Sequence, residues 1–271
     1  MHISFIGGGN MAEALISGLQ KNHFTMSNIH VIELDANKRE QLKTTYGVLA
    51  NETVADITKS EIVILAVKPQ QLKVVAASIA PYLTQQCVVS IAAGVRLADL
   101  SRWLNNYGTI VRCMPNTPAQ IQAGITALIA MPEVSKTQIE QADTILSAVG
   151  KTLWLDNEAK LDAVTAISGS GPAYVFYLIE ALQHAALELG LNVHEAQLLS
   201  LQTFAGASAL AVQSTTDVAT LRAQVTSKGG TTEQGLLSLD NAQVKAAIVQ
   251  AAKAAAKKSF ELGDLLSQSS D

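Results

Sequence analysis

The fold class this sequence predicts is α/β: a parallel sheet in the N-terminal part, followed by an all-helical domain. Three observations predict it. Up to about residue 157, short β-rich apolar runs alternate with helical patterns. Beyond that point no convincing strand recurs, and only long helical stretches follow. No segment reaches the ~20 consecutive apolar residues of a spanning helix, so a chain that is 48% apolar is read as burying them in protein.

The strands come first at 2–6, 29–33, 47–50, 62–67, 87–91 and 109–113. They are continuously apolar, as in Ile62-Val63-Ile64-Leu65-Ala66-Val67, which is the mark of parallel strands covered on both faces. In the first interval Met11, Leu15 and Leu19 recur in steps of four and make one helical stripe, with Gly18 beside it to allow close approach to a sheet. Two further strands, 123–130 and 151–155, flank a helix over about 133–148. Then come helices: one from Glu158, interrupted at Ser168-Gly169-Ser170-Gly171-Pro172 and stopped at Gly190, then 192–213 and 216–225. The last two start near Thr231 and Asn241, and the final one is Ala-rich, which favours helix and tight helix packing. The domain boundary is therefore placed at 157/158, with 1–157 as the sheet domain and 158–271 as the helical one.

Charged residues make up only 15% of the 271, aromatics 4%, and the formal net charge is −4. That excludes a disordered chain, an ion-paired coiled coil and a basic nucleic-acid binder. Met1-His2-Ile3-Ser4-Phe5-Ile6 enters a strand directly, so a secretory leader is not expected. Cys87 and Cys113 read as buried small hydrophobes in a reducing cytosol, and no Cys/His cluster has metal-ligand spacing, so no metal is expected.

The first strand runs into Gly7-Gly8-Gly9-Asn10-Met11-Ala12, and a helix follows. In that context the G-x-G-x-x-A pattern is a Rossmann-type dinucleotide turn. Gly7 permits the tight turn, Gly9 lets backbone approach a pyrophosphate, Ala12 lets the helix pack on the strand, and Asn10 and Met11 open the helix whose N–H groups face the phosphates. Glu33 and Asp35 end the second strand, where a carboxylate accepts from the ribose 2′-OH of NAD and repels the 2′-phosphate of NADP. Lys38 and Arg39 follow closely; they read first as a solvated helical turn, and otherwise as phosphate ligands.

A second anion site is suggested by Val225-Thr226-Ser227-Lys228-Gly229-Gly230-Thr231-Thr232-Glu233. Two glycines and two threonines at a helix start offer several N–H donors and two hydroxyls to a carboxylate. The same residues also fit an ordinary helix start with Thr231 or Thr232 as the cap, and both readings stand at this point.

With both motifs in hand the sequence resembles the Δ1-pyrroline-5-carboxylate reductases over nearly its whole length. The likeness lies in Phe5-Ile6-Gly7-Gly8-Gly9-Asn10-Met11, Ala66-Val67-Lys68-Pro69, Ser90-Ile91-Ala92-Ala93-Gly94-Val95 and Arg112-Cys113-Met114-Pro115-Asn116-Thr117-Pro118. It continues in Ser168-Gly169-Ser170-Gly171-Pro172-Ala173-Tyr174 and Ser227-Lys228-Gly229-Gly230-Thr231-Thr232. The resemblance implies NAD(P)H-dependent reduction of the C=N bond of 1-pyrroline-5-carboxylate to L-proline by a cytoplasmic enzyme. It implies that Ala66, Val67, Lys68, Pro69, Ala93 and Asn116 border the cofactor, and that Asn51 and Asp35 face its adenosine end. Ser227, Gly229 and the backbone of Gly230 and Thr231 would hold the substrate carboxylate, Val225 would lead into that turn, Thr232 would lie near the ring nitrogen, and Glu158 would line the pocket.

Two departures from the family pattern stand out. Lys228 replaces a usual proline, and Glu33 and Asp35 stand where a small or basic residue is usual, so NADP(H) and NAD(H) are both open. The five histidines read as structural or surface residues, and Thr232 as a group that orients the imine nitrogen, with Lys68 as the rival proton donor. Trp103, Trp154, Tyr174, Phe176 and Tyr177 read as packing residues. The rival functions are a β-hydroxyacid dehydrogenase, disfavoured because only Lys160 sits on the relevant helix, and a non-catalytic nicotinamide-binding regulator, which needs no carboxylate nest.

The charge deficit remains. Ala205-Gly206-Ala207-Ser208-Ala209-Leu210-Ala211 is apolar nearly all round, and such helices must be buried. The resemblance implies that this half forms a dimer with its twin, built in some members into a decamer, and burial between subunits would account for the missing charge.

Overall fold

The structure, a computed structural model, describes residues 1–268. The alternation expected in the first half is present: β1 (Ile3–Ile6), α1 (Asn10–Lys21), β2 (Ile29–Ile32), α2 (Ala36–Tyr46), β3 (Leu49–Asn51), β4 (Ile62–Leu65), α3 (Pro69–Ile79) and β5 (Cys87–Ser90). It continues with α4 (Leu97–Trp103), β6 (Ile110–Met114), β7 (Gly124–Ala130), α5 (Lys136–Ser147) and β8 (Gly150–Trp154). The eight strands form one sheet in the order β3-β2-β1-β4-β5-β6-β7-β8. Alternate residues of each central strand feed opposite layers. Phe5, Ile62 and Ile64 pack with α1 and α5 residues such as Leu15 and Ile145, whereas Ile6, Val63 and Leu65 pack with Leu72 and Ile79 of α3 and Leu100 of α4. That double burial explains why the central strands are apolar at most positions, with Ser4, Ser90 and Arg112 as buried exceptions.

The sheet is not wholly parallel. β7 runs antiparallel to β6, with Val111 opposite Ala130 and Met114 opposite Ala127. Residues 115–123 between them hold only a short 3₁₀ turn, Thr117–Ile121, ended by Gln122 at φ 56°. A parallel return needs a crossover of a dozen or more residues, so this connection turns the chain back. β8 is parallel to β7 again, through α5. Gly18 makes its close approach to the turn into β8 rather than to a strand: a Cβ there would lie 2.5 Å from the Ala148 carbonyl oxygen.

The helical part comprises α6 (Lys160–Val164), a π turn over Thr165–Gly169, α7 (Gly171–Glu188), α8 (Val193–Gln213), α9 (Val218–Gln224), α10 (Thr231–Asn241) and α11 (Val244–Gln268). The interruption expected at Ser168-Gly169-Ser170 is that π turn, closed by the Ser170 N–H donating to the Thr165 carbonyl at 2.8 Å. Gly190, at φ +92°, ends the helix before Asn192, which opens α8 with a reciprocal cap from Glu195.

By packing, the chain forms two units. One unit is Met1–Ser170 together with the residues from Ala254 onward, and the other is Gly171–Lys253. In the first, Leu161 and Ala166 are buried. The end of α11 is joined there by the Arg96–Asp264 pair at 2.7 Å, by Ser259 donating to Asp162 at 2.6 Å, and by a Ser267–Asp99 hydrogen bond. The second unit has almost no interior of its own. α7, α9 and α10 contain no buried residue, and α8 buries only Ala196 and Ser200. Phe176 and Tyr177, expected to pack, are 65% and 72% exposed in the single chain. Among the described residues no helix is long and apolar enough to cross a membrane.

Candidate functional site

The glycine turn joins β1 to α1. The Gly7 N–H donates to the Ile32 carbonyl at 2.8 Å, and Gly7 sits at φ +93°, where a Cβ would come 2.8 Å from the Ala66 carbonyl oxygen. Only glycine fits there, and the contact places the turn against the end of β4, where the strand order reverses around β1. Gly9 is extended, has open space where a Cβ would stand, and precedes α1 without any side-chain cap. The amides of Asn10, Met11 and Ala12 are thus presented to an anion, and the fully buried Ala12 lets α1 lie close on the sheet. This cradle fits a dinucleotide pyrophosphate.

At the end of β2 the charged residues are already engaged. Glu33 Oε2 accepts the Gly8 N–H at 2.7 Å and its Oε1 accepts the Asp35 N–H at 3.0 Å. Asp35 caps α2, taking the Asn37 and Lys38 amides at 2.8 and 3.2 Å. Lys38 and Arg39 are not the solvated pair expected. Lys38 Nζ lies 2.6 Å from Glu13, and Arg39 donates to the carbonyls of Glu33 and Leu34 at 2.7 and 2.8 Å. Asn51, ending β3, donates to Asp56 at 2.7 Å and accepts the Thr53 amide at 2.9 Å.

Ala66 and Val67 follow β4 half-buried, and Lys68 is the exposed N-cap residue of α3, with Pro69 as its first helical residue. The Lys68 carbonyl accepts the Gln71 N–H at 2.9 Å, and among the described residues its ammonium forms no ion pair. Ala93 follows β5, and with Pro69, Gln70, Gly94, Thr165 and Lys258 it lines a cleft of about 510 Å³ within the first unit. Asn116 accepts the Ile125 amide at 3.0 Å and so pins the start of β7. Gly169 approaches the end of β6 so closely that a Cβ would meet Met114 Cε at 2.5 Å. Glu158 is held in this unit too: its Oε1 accepts the Leu97 amide at 2.8 Å and the Arg112 guanidinium at 2.6 Å. Arg112 is a partner the sequence reading missed.

The Ser227–Thr232 turn, expected to hold a carboxylate, lies in the second unit. Gly230 N–H donates to the Ser227 carbonyl at 3.0 Å, closing a four-residue turn whose third residue, Gly229, has φ +76°. The cap of α10 is Gly230, not a threonine, and no side chain caps the helix. Closing the turn occupies the Gly230 amide that was expected to hold a carboxylate. The Ser227 hydroxyl, the Thr231 and Thr232 amides and both threonine hydroxyls remain, on exposed residues. Glu233 was also missed: its carboxylate accepts the Gly229 N–H at 2.6 Å. An acid at the third helical position reaching back toward the helix start is the signal that could have found it.

The cysteines do not compete as nucleophiles. Cys87 and Cys113 are unpaired and buried, and burial pushes the Cys87 thiol up to about 12 and the Cys113 thiol well above its usual value. His30 is half-buried in β2, where burial lowers its pKa; His184 lies 3.1 Å from Glu188; His23 and His194 are exposed.

Residues 158–262 match the family described as pyrroline-5-carboxylate reductase dimerisation, and residues 2–94 match the one described as NADP oxidoreductase, coenzyme F420-dependent. A Pseudomonas aeruginosa protein named pyrroline-5-carboxylate reductase is 44% identical over 268 residues, 98% of each chain. Among solved structures, a pyrroline-5-carboxylate reductase from Coxiella burnetii is similar at TM-score 0.93 and 39% identity, over 96% of this chain and 98% of its own. The Plasmodium falciparum pyrroline carboxylate reductase with NADP bound is similar at TM-score 0.86 and 29% identity, over 97% and 98%.

Proposed function

This chain belongs to the pyrroline-5-carboxylate reductase family, and from that premise we propose how its residues divide the work of reducing 1-pyrroline-5-carboxylate to L-proline. The reaction is a nicotinamide-dependent reduction of a cyclic C=N bond, the last step of proline biosynthesis. The bound nicotinamide supplies the hydride that the imine carbon receives. The residues of the chain bind, orient and shield.

The uncapped start of α10 is the observation that carries the substrate side. Its free Thr231 and Thr232 amides and the Ser227 hydroxyl hold the carboxylate, with Gly229 and Gly230 shaping the turn and Val225 giving it an apolar shoulder. With the carboxylate fixed there, the Thr232 hydroxyl lies near the ring nitrogen. A threonine is a poor acid at neutral pH, so it holds the nitrogen in line while a proton arrives from water. Glu158 offers the substrate its second oxygen, Oε2, while Oε1 stays on Leu97 and Arg112.

On the cofactor side Gly7, Gly9, Asn10, Met11 and Ala12 seat the pyrophosphate. Asp35 and Asn51 shape the adenosine end, and Ala66, Val67, Lys68, Pro69, Ala93 and Asn116 border the nicotinamide. The chain is a homo-oligomer whose helical unit, lacking an interior, pairs with its twin as a dimer. A decamer of such dimers is the larger assembly that light scattering would read. Two unpaired thiols accord with a cytoplasmic location.

Purified protein given pyrroline-5-carboxylate should oxidise NADH or NADPH; oxidation of neither would end this reading. Thr232→Ala should lower kcat by about 10–100-fold, the range of lost orientation and proton relay, while Thr232→Ser retains most of the rate. An unchanged rate for Thr232→Ala would remove Thr232 from the mechanism.

A further inference from the structure

Four charged residues, Glu33, Asp35, Lys38 and Arg39, follow β2 within seven positions, and the structure gives them unequal roles. Asp35 is committed to α2, where its carboxylate caps two amides. Lys38 is held against Glu13 and also donates to Gln41, and Arg39 braces the Glu33 and Leu34 carbonyls with Glu52 at 3.5 Å. Of the two carboxylates, Glu33 is the one turned toward the phosphate-binding glycines, where it accepts the Gly8 N–H; the Lys38 stem also passes Gly8, with its ammonium held on Glu13. Gly8 is what lets it come so close: a Cβ there would lie 2.8 Å from Leu42 Cδ1 and 3.3 Å from Glu33 Oε2.

We infer that Glu33 reads the adenosine ribose and makes this site select NADH, with its free 2′-hydroxyl, over the 2′-phosphorylated NADPH. The inference rests on the nicotinamide reading above and names the specificity residue within it. Each carboxylate oxygen accepts up to two hydrogen bonds, and Glu33 uses one on each, to Gly8 and Asp35. The remaining acceptor positions suit the vicinal hydroxyls of a ribose. A 2′-phosphate brought to the same place meets an acceptor-only group of like charge, which is repulsion built against the wrong ligand. It would also need a cation. Lys38 and Arg39 are the nearby candidates, and both are bound to other partners with side chains only 24% and 19% exposed. The Plasmodium falciparum relative was solved with NADP bound, so the selection is a property of this chain's β2 end and not of the family fold.

The test is calorimetric titration of the substrate-free protein with ADP-ribose and with 2′-phospho-ADP-ribose. The wild type should bind ADP-ribose at least tenfold more tightly. Glu33→Gln keeps an acceptor for the Gly8 amide and removes the charge, and should narrow that ratio by about tenfold, the worth of one charged hydrogen bond. Equal or tighter binding of the phosphorylated probe by the wild type overturns the inference. So does an unchanged ratio in Glu33→Gln. Should Glu33→Gln fail to fold, the wild-type ratio decides alone. If neither probe binds, the nucleotide site itself fails and this inference with it; if both bind with the ratio reversed, only the inference fails.

Discussion

Glu158 Oε1 lies 2.6 Å from the Arg112 guanidinium and also accepts the Leu97 amide, so one carboxylate ties β6 to the start of α4. The Arg112 side chain is 8% exposed, against 28% for Glu158. Removing the carboxylate strands a buried guanidinium, which costs about 3–5 kcal/mol. Glu158→Ala should therefore unfold at markedly lower urea, and Glu158→Gln, which keeps an acceptor, should lose less. An unchanged midpoint with a raised KM would confine Glu158 to the pocket.

Lys228 occupies the second position of the Ser227–Gly230 turn, just before the left-handed Gly229. Proline is favoured at that position, and no described residue accepts the Lys228 amide. Lys228→Pro should raise stability by about 0.4–1 kcal/mol, chiefly by restricting the unfolded chain. It also removes a cation from the carboxylate site proposed here, so KM should rise at low salt and converge with the parent at high salt. A destabilised Lys228→Pro variant would show that the turn is not of this kind.

The exposed apolar surface of α7 should lie inside the oligomer. Phe176→Glu places a charge there, and light scattering should report dissociation toward the monomer, with loss of helical-unit stability. A variant that keeps its oligomeric mass and melting temperature would place Phe176 outside the subunit contact.

The buried thiols tie stability to alkaline pH. An ordinary thiol loses its proton near 9, whereas folded Cys87 keeps it to about 12. Above the ordinary value the unfolded chain binds fewer protons than the folded one, so this contribution is intact below about pH 9 and is lost as pH climbs toward 12. Urea midpoints should fall over that window, and Cys87→Ala should flatten the fall. At pH 8 neither cysteine should react with a disulfide reagent until the protein is unfolded.

Much of the architecture was legible locally. The apolar strands, the glycine turn and the stop at Gly190 were each read from a few neighbouring residues, because strand burial, left-handed φ and helix termination are short-range properties. The antiparallel turn of β7 was less legible, since its cause is the shortness of the connection at 115–123 and not the composition of the strand. At α10 the sequence left two cap candidates and a carboxylate nest in balance. The structure put the cap on Gly230 and revealed Glu233 on the turn amide.

The sequence by itself determined the order of elements, the phosphate-binding turn, the family likeness and the excess of apolar residues in the helical half. Only the tertiary structure decided which charges are free. Glu33 faces Gly8 25 positions away, Glu158 reaches Arg112 across 46, and Asp264 returns to Arg96 across 168. No local periodicity records such pairs, because each forms only when the sheet has stacked its strands and the end of α11 has come back to it. That is why Asp35 and Glu33 read alike in the chain, and why their partners separate them in the fold.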